Sequence, residues 1–438
     1  MRRFELLRWN SFFLVIVFLA LFYLVAYSFF VRRPQQEVVK IFFADRITAA
    51  HRYLIDKYNA LNAGKVEVIP IDFPNPDFST NERKEILARS LRGEGDGIDL
   101  LAVDVIWVQR FAKWCEPLGT HFSQQELQRI IPDALYSCYN DGDLVAVPLD
   151  LVLGVMYYRE DLVRQMPGGD GIVRSLASGM TWDQFIALRG RYRGKGPFYV
   201  FPAAGFEGFI CGYIENLLSL QPDYFSKSGF SFDTPEGKKA LQLFVDIVQK
   251  SAIAPPIVTT FTEVPSYEYY VKNDGLFLHG WTSYDKDFTQ QPYDWNKQQF
   301  LRKAPLPRFA GGHPSSMFGG WDLMVSRFST KKDAVIDFVK FLLTDESQES
   351  FYARGGYYPV VTSFYDNPAS VERHPEIAGI KELMRFGVHR PPVKDYTNNS
   401  KIMAYYLSLA VKGKITVDSA VREATRAIQS AQASVETR

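Results

Sequence analysis

VVKIFFA at Val38–Ala44, VEVIPI at Val66–Ile71 and DLLAV at Asp99–Val103 are the three stretches that decide the fold. Each is a short apolar run that reads as a buried strand. The segments between them have another period. Tyr53, Leu54, Tyr58 and Leu61 recur at helical spacing along Ala49–Leu61, and Glu85–Leu91 is helical as well. Strands alternating with helices imply βαβ units, a mostly parallel sheet and an α/β fold. In such sheets ligands bind outside the carboxyl ends of the strands. Asp45, Asp72 and Asp104 each follow one of these runs and are therefore candidate site residues.

Further along, Asp141-Gly142 between LYSCYN and LVAVPL is a hairpin signal. Val152–Tyr158 reads as a strand, Thr181 as the cap of a helix carrying Trp182, Phe185, Ile186 and Leu188, and Leu276–Leu278 and Ala304–Leu306 as short strands. Lys331–Leu343, Ser400–Val411 and Val417–Ala431 read as helices. The chain carries no internal repeat, no phosphate-binding glycine loop, and neither an H-E-x-x-H nor a G-x-S-x-G motif.

With 438 residues there is enough chain for two or three domains' worth of core. A net charge of +1 argues against nucleic acid as a partner, because that needs a clustered basic excess. Aromatic residues reach 15%, enough to fill a core and also to line a site that stacks flat apolar faces such as those of sugar rings. Cys115, Cys138 and Cys211 fit no zinc spacing, so neither metal nor cofactor is expected. Cys115 and Cys138 could pair in an oxidising compartment; Cys211 reads as a buried thiol.

Ser11–Val31 reads SFFLVIVFLALFYLVAYSFFV without a charge. About 20 such residues span a bilayer core. Residues 1–33 are therefore expected to be a single-pass membrane anchor, with the rest of the chain on the periplasmic or extracellular side. A cleaved signal is the alternative, with Ala26 and Ser28 as a weak site that the apolar run overshoots. No cysteine precedes Cys115, which excludes lipoprotein attachment.

From Val38 onward an ordered series of segments carries a resemblance: DLLAVDVIWVQRFAKWCEPL, DGDLVAVPLDLVLGVMYYREDLV, TWDQF, GFEGFICGYIENLLSL, GLFLHGW, APLP and GGWDLMVSRFSTKKDAVIDFVKFLLTDESQESFYARGGYYPVVTSFYDNP. Over about 400 residues the chain resembles the extracellular solute-binding proteins of ABC transporters, in the branch that binds maltose, trehalose and related oligosaccharides. The resemblance implies a two-lobed periplasmic-binding-protein fold of type II, maltose-binding-like, with ligand held between lobes joined by three crossovers. Placed on residues 34–438, it puts lobe one at about 38–150 plus 307–361 and lobe two at about 151–306 plus 362–431.

Sugar sites combine aromatic faces with carboxylates, amides and guanidinium groups that meet hydroxyls. The resemblance implies such roles for Asp104 at a strand end and Glu207 in FEGF, for Trp281 in GLFLHGW, and for Gly319, Gly320 and Trp321 in GGW. It implies them also for Arg390 and Tyr396 in the HRPPVKDY segment. Asp45 joins them as a strand-end carboxylate, and Trp107 is expected to pack at a helix start. Many relatives carry a cleft Asp at the position of Val152; the nearest carboxylate here is Asp150, two residues earlier and on the same face of a regular strand.

The function this implies is a carbohydrate-binding receptor that delivers an oligosaccharide to the transmembrane subunits of an ABC permease by lobe closure. A tethered sugar sensor that presents its loaded form to a membrane histidine kinase is the second reading. A glycoside hydrolase is the third, and no nucleophile motif supports it.

Overall fold

The computed structural model describes residues 13–25, 27, 37–74, 80–287, 295–391, 393 and 395–436. The chain opens with β1 (Val39–Asp45), α1 (Ala49–Leu61), β2 (Val66–Asp72), α2 (Thr80–Arg92) and β3 (Leu100–Asp104). A small hairpin then turns on Asp141 and Gly142, at φ +50° and +92°, the left-handed pair that a two-residue turn requires. Next come β4 (Val147–Pro148), β5 (Val152–Arg159), α3 (Trp182–Leu188), β6 (Tyr199–Val200), α4 (Glu207–Leu220), α5 (Glu263–Lys272), β7 (Phe277–Trp281), β8 (Leu301–Ala304), β9 (Ser316–Gly319) and β10 (Trp321–Val325). The chain closes with α6 (Lys332–Leu342), α7 (Asp345–Gly355), α8 (Thr362–Asp366), α9 (Pro368–Arg373), β11 (Gly387–Val388), α10 (Tyr396–Val411) and α11 (Val417–Glu436).

Two sheets organise these elements. The first has five strands in the order β2-β1-β3-β10-β4, the second six, ordered β11-β9-β5-β7-β6 with β8 also on β5. In the first sheet β1, β2 and β3 are parallel, as βαβ units require. Helix α1 covers that sheet with Ala50, Leu54, Ile55 and Tyr58 buried, and Tyr58 meets Phe338 and Phe341 of α6 at ring distances of 4.8 and 5.2 Å. In α3 the expected cap is present: Thr181 accepts from the Gln184 N–H, and the Gln184 side chain returns to Thr181 N–H.

The second sheet departs from the mostly parallel expectation. Its central strand β5 is antiparallel to β7, β8 and β9. Strands that arrive from the other lobe are not bound to the βα alternation that dictates parallel neighbours, so the rule read from the first hundred residues does not carry over. The strand expected at Ala304–Leu306 lies earlier, at Leu301–Ala304.

Sheet membership also moves the crossovers. The chain leaves the first sheet between β4 and β5, at Leu149–Leu151. It returns at Gly319–Gly320 rather than at residue 307, because β9 pairs with β5 and β11. After residue 361 it stays with the first lobe longer than expected: Phe364 and His374 pack on Tyr352 of α7, and Arg373 pairs with Glu349 at 2.6 Å. Only with β11 does it rejoin the second sheet.

The expected anchor at Ser11–Val31 lies partly outside the described residues. Its described part, residues 13–25 and 27, is helical, with exposed side chains. Among the described residues no helix is long and apolar enough to cross a membrane. Cys115, Cys138 and Cys211 are free, buried thiols.

Candidate functional site

A cavity of about 940 Å³ opens between the two sheets. That lies near the top of the range for small-molecule sites. Strand ends supply one wall, from lobe one. Parallel register ends β1 on Asp45, and the pairing of β3 with β10 sets Trp321 opposite Asp104. Asp45 is buried beneath Arg83 of α2, whose Nη2 donates to Oδ1 at 2.6 Å, and His51 Nε2 lies 3.1 Å from Oδ2. Burial alone would raise this carboxyl; His51 and Arg83 outweigh it and hold Asp45 below the usual carboxylate range. The same guanidinium stacks over Trp321 at 4.1 Å, and Trp107 meets Trp321 edge-on at 6.2 Å. Trp107 is buried against that ring, as expected of a helix-start packing residue.

The other wall comes from lobe two and is built on helix starts. Glu207 is the first residue of α4, Glu263 of α5 and Tyr396 of α10. Glu207 accepts from Tyr396 Oη at 2.8 Å, from Arg390 Nη1 at 3.1 Å and from Ser400 Oγ. Burial nonetheless prevails over these partners and leaves Glu207 above the usual carboxylate range. Glu263, with the Trp281 indole beside it, is pushed up to about 7 by burial. Trp281 ends β7; its carbonyl accepts from Tyr157 Oη at 2.7 Å, which fixes the turn of the strand into the cavity.

Arg390 joins the walls. Its Nη2 donates to Asp104 of lobe one at 3.0 Å while Nη1 holds Glu207 of lobe two. Asp104 also accepts the Ile106 N–H at 3.1 Å, capping the turn after β3. With its side chain only 4% exposed, Arg390 is a buried cation between two carboxylates, and the lobes are in contact through it.

The crossovers form the floor. Gly320 has φ +145°, and a Cβ there would come within 2.4 Å of the Asp150 carbonyl oxygen, so only glycine lets the two strands cross this closely. A Cβ at Gly319 would press on Trp281 and Val152 at 3.1 Å. Asp150 is buried beside this crossing and lines the cavity together with Val152.

Of the residues singled out in the sequence, Asp45, Asp104, Glu207, Trp281, Gly319, Gly320, Trp321 and Arg390 line the cavity. Tyr396 does not; it is buried behind Glu207 and orients it. Asp72 turns away and accepts the Ile47 N–H at 2.8 Å. Sequence reasoning missed Arg83, His51 and Glu263. A carboxylate at a helix start was the available signal for Glu263; Arg83 sits in a charged run that reads as a solvated surface. Among the described residues no group of acidic, His and Cys side chains could hold a metal ion.

The profile of the bacterial extracellular solute-binding proteins matches residues 54–379. A probable ABC transporter-binding protein of Deinococcus radiodurans is 22% identical over 367 residues, covering 80% of this chain and 83% of its own length. Maltose-bound T. maritima MalE3 superposes with a TM-score of 0.79 at 24% identity, over 90% of this chain and 99% of that one. The cyclic alpha-maltosyl-1,6-maltose binding protein of Arthrobacter globiformis gives 0.68 at 22% identity, over 90% and 98%. These structures share the two-lobed fold. The matched family and the neighbours are binding proteins rather than enzymes.

Proposed function

The chain belongs to the bacterial extracellular solute-binding family, and from that premise we propose that it is an extracytoplasmic carbohydrate receptor that delivers an oligosaccharide to an ABC permease by closing its lobes. One observation carries the reading. Trp281 and Trp321 flank a cavity that is also lined by Arg83, Arg390 and Asp150, and the buried Arg83 Nε, Arg390 Nε and Asp150 Oδ1 have no protein partner among the described residues. Buried polar groups left unpaired cost on the order of 1–3 kcal/mol each. A hydroxyl-rich ligand between two aromatic faces supplies both the hydrogen bonds and the apolar contact. The structural neighbours include proteins whose names give maltose, tagatose, ribitol and mannitol as ligands.

The Ser11–Val31 run supports a membrane tether for this receptor. A tether raises the effective concentration of the loaded receptor near a membrane partner. Carbonate extraction of membranes, with N-terminal sequencing of the native protein, tests that part: a mature start near Phe29 overturns it. The binding reading is tested by thermal shift of the full-length protein against maltose, maltotriose, tagatose, ribitol and mannitol. A ligand-dependent rise in melting temperature supports it, and no shift with any sugar contradicts it.

A further inference from the structure

Three carboxylates of the cavity already have cations. Asp45 holds Arg83 and His51, and Asp104 shares Arg390 with Glu207. Asp150 and Glu263 are left without one among the described residues, and of these Asp150 is the one that other carboxylates surround most closely. It is 2% exposed, and its Oδ1 has no partner among the described residues. The charged groups that face it are mostly acids: Asp45 at the end of β1, Asp104 at the end of β3 and Asp322 in β10. The cations nearby, Arg83 and His51, are engaged with Asp45, and Arg46 beside them also lines the cavity. An ionised carboxylate in that position would be a buried charge among like charges, which is the costliest arrangement for it.

We infer that Asp150 is a further ligand-contacting residue, standing in the cavity as a neutral carboxylic acid that donates its proton to an acceptor oxygen of an uncharged sugar. The inference rests on the sugar-binding reading above. Burial and the facing acids push this carboxyl well above its ordinary value, in keeping with the geometry. The position also suits a fixed reading point. Asp150 lies where two crossovers touch, at the Gly320 contact. A neutral donor there gives the site a feature that the paired carboxylates lack: it reads a ligand oxygen, such as a ring or glycosidic oxygen, that has no hydrogen to offer.

Calorimetric titration of the full-length protein with the same five sugars tests this, using wild type, Asp150→Asn, Asp150→Ala and Trp321→Ala. Asparagine keeps a donor and cannot ionise, so Asp150→Asn should bind within about threefold of wild type, whereas Asp150→Ala should weaken binding about tenfold. Wild-type affinity should fall at high pH, as the acid ionises, and the Asn variant should lose that fall. Titration in two buffers of different ionisation enthalpy adds a readout that needs no variant; proton release on binding contradicts a donor that keeps its proton. If Asp150→Asn is as weak as Asp150→Ala, the group acts as a carboxylate and the inference is overturned. If neither variant changes affinity while Trp321→Ala does, the sugar site stands and Asp150 is not part of it. If wild type binds none of the sugars, the sugar reading falls and this inference with it.

Discussion

The two walls of the cleft solve the same problem with different parts. Lobe one presents strand ends, Asp45, Asp104 and the start of β10 at Trp321, braced by Arg83 within its own lobe. Lobe two presents helix starts, Glu207, Glu263 and Tyr396, and sends Arg390 across to Asp104. In the strand-end wall Asp45 is held below the usual range by cations of the same lobe, whereas Asp104 takes its cation, Arg390, from the other. In the helix-start wall burial keeps Glu207 and Glu263 above that range. The Asp45 site is therefore preset within its own lobe, while Asp104 depends on the opposite lobe for its cation. An arginine shared across the cleft favours the closed arrangement, because opening takes it away from Asp104.

Removing the two arginines should separate these roles most sharply. Arg390→Ala leaves Asp104 and Glu207 without their shared cation; breaking a buried pair of this kind costs about 3 kcal/mol or more. The expected result is a lower melting temperature together with a larger radius of gyration in small-angle scattering. Arg390→Lys should recover only part of this, because an ammonium cannot fork to both acids. Arg83→Ala should also destabilise, through Asp45, yet leave the radius of gyration unchanged. Equal expansion in both variants would erase the distinction between the walls.

Next in size are the aromatic faces, one from each wall. Trp321→Ala and Trp281→Ala should each weaken sugar binding by about 2 kcal/mol, roughly thirtyfold. Trp321 also carries the stacked Arg83 and the edge of Trp107. Its loss should therefore lower the melting temperature more than that of Trp281, which lies over glycine. Unchanged affinity with a lowered melting temperature would make both rings core residues.

The pH dependence is a further contrast, and its sign differs between Asp45 and Glu263. Asp45 has a depressed folded value, so its contribution is present above the unfolded value of about 3.9 and is lost as pH falls through the folded one. Glu263 is raised to about 7, so its contribution is present below the unfolded value of about 4.3 and is lost as pH rises through 7. Asp45→Asn should flatten the acid limb of the melting profile, and Glu263→Gln should raise the melting temperature above pH 7. The same response from both variants would mean that the walls are not electrostatically distinct.

The wall of strand ends was the more legible one. Period and composition mark β1, β2 and β3, and the rule that sites lie beyond strand carboxyl ends leads to Asp45 and Asp104. It leads equally to Asp72, whose side chain turns to a backbone N–H, because strand-end position does not set which way a carboxylate faces. Trp281, Gly319, Gly320 and Trp321 came from family resemblance, since no local pattern distinguishes a cleft aromatic from a core one. The charged run Asn81–Glu85 reads as solvated surface, yet Arg83 is 3% exposed and Lys84 is fully buried. Their burial depends on where α2 meets Trp321 and Trp107, a long-range fact that spacing does not carry. Crossovers are hidden for the same reason: β9 looks like any short strand, and only its partners show which sheet it joins.

The most direct test of the account is a calorimetric titration of wild-type protein with the sugar that gives the largest thermal shift, followed by chromatography of the sugar recovered from the cell. Saturable binding of one sugar per chain is expected, lost or strongly weakened in Trp321→Ala, with the sugar recovered intact. Hydrolysed sugar, or binding that is indifferent to Trp321, would contradict it.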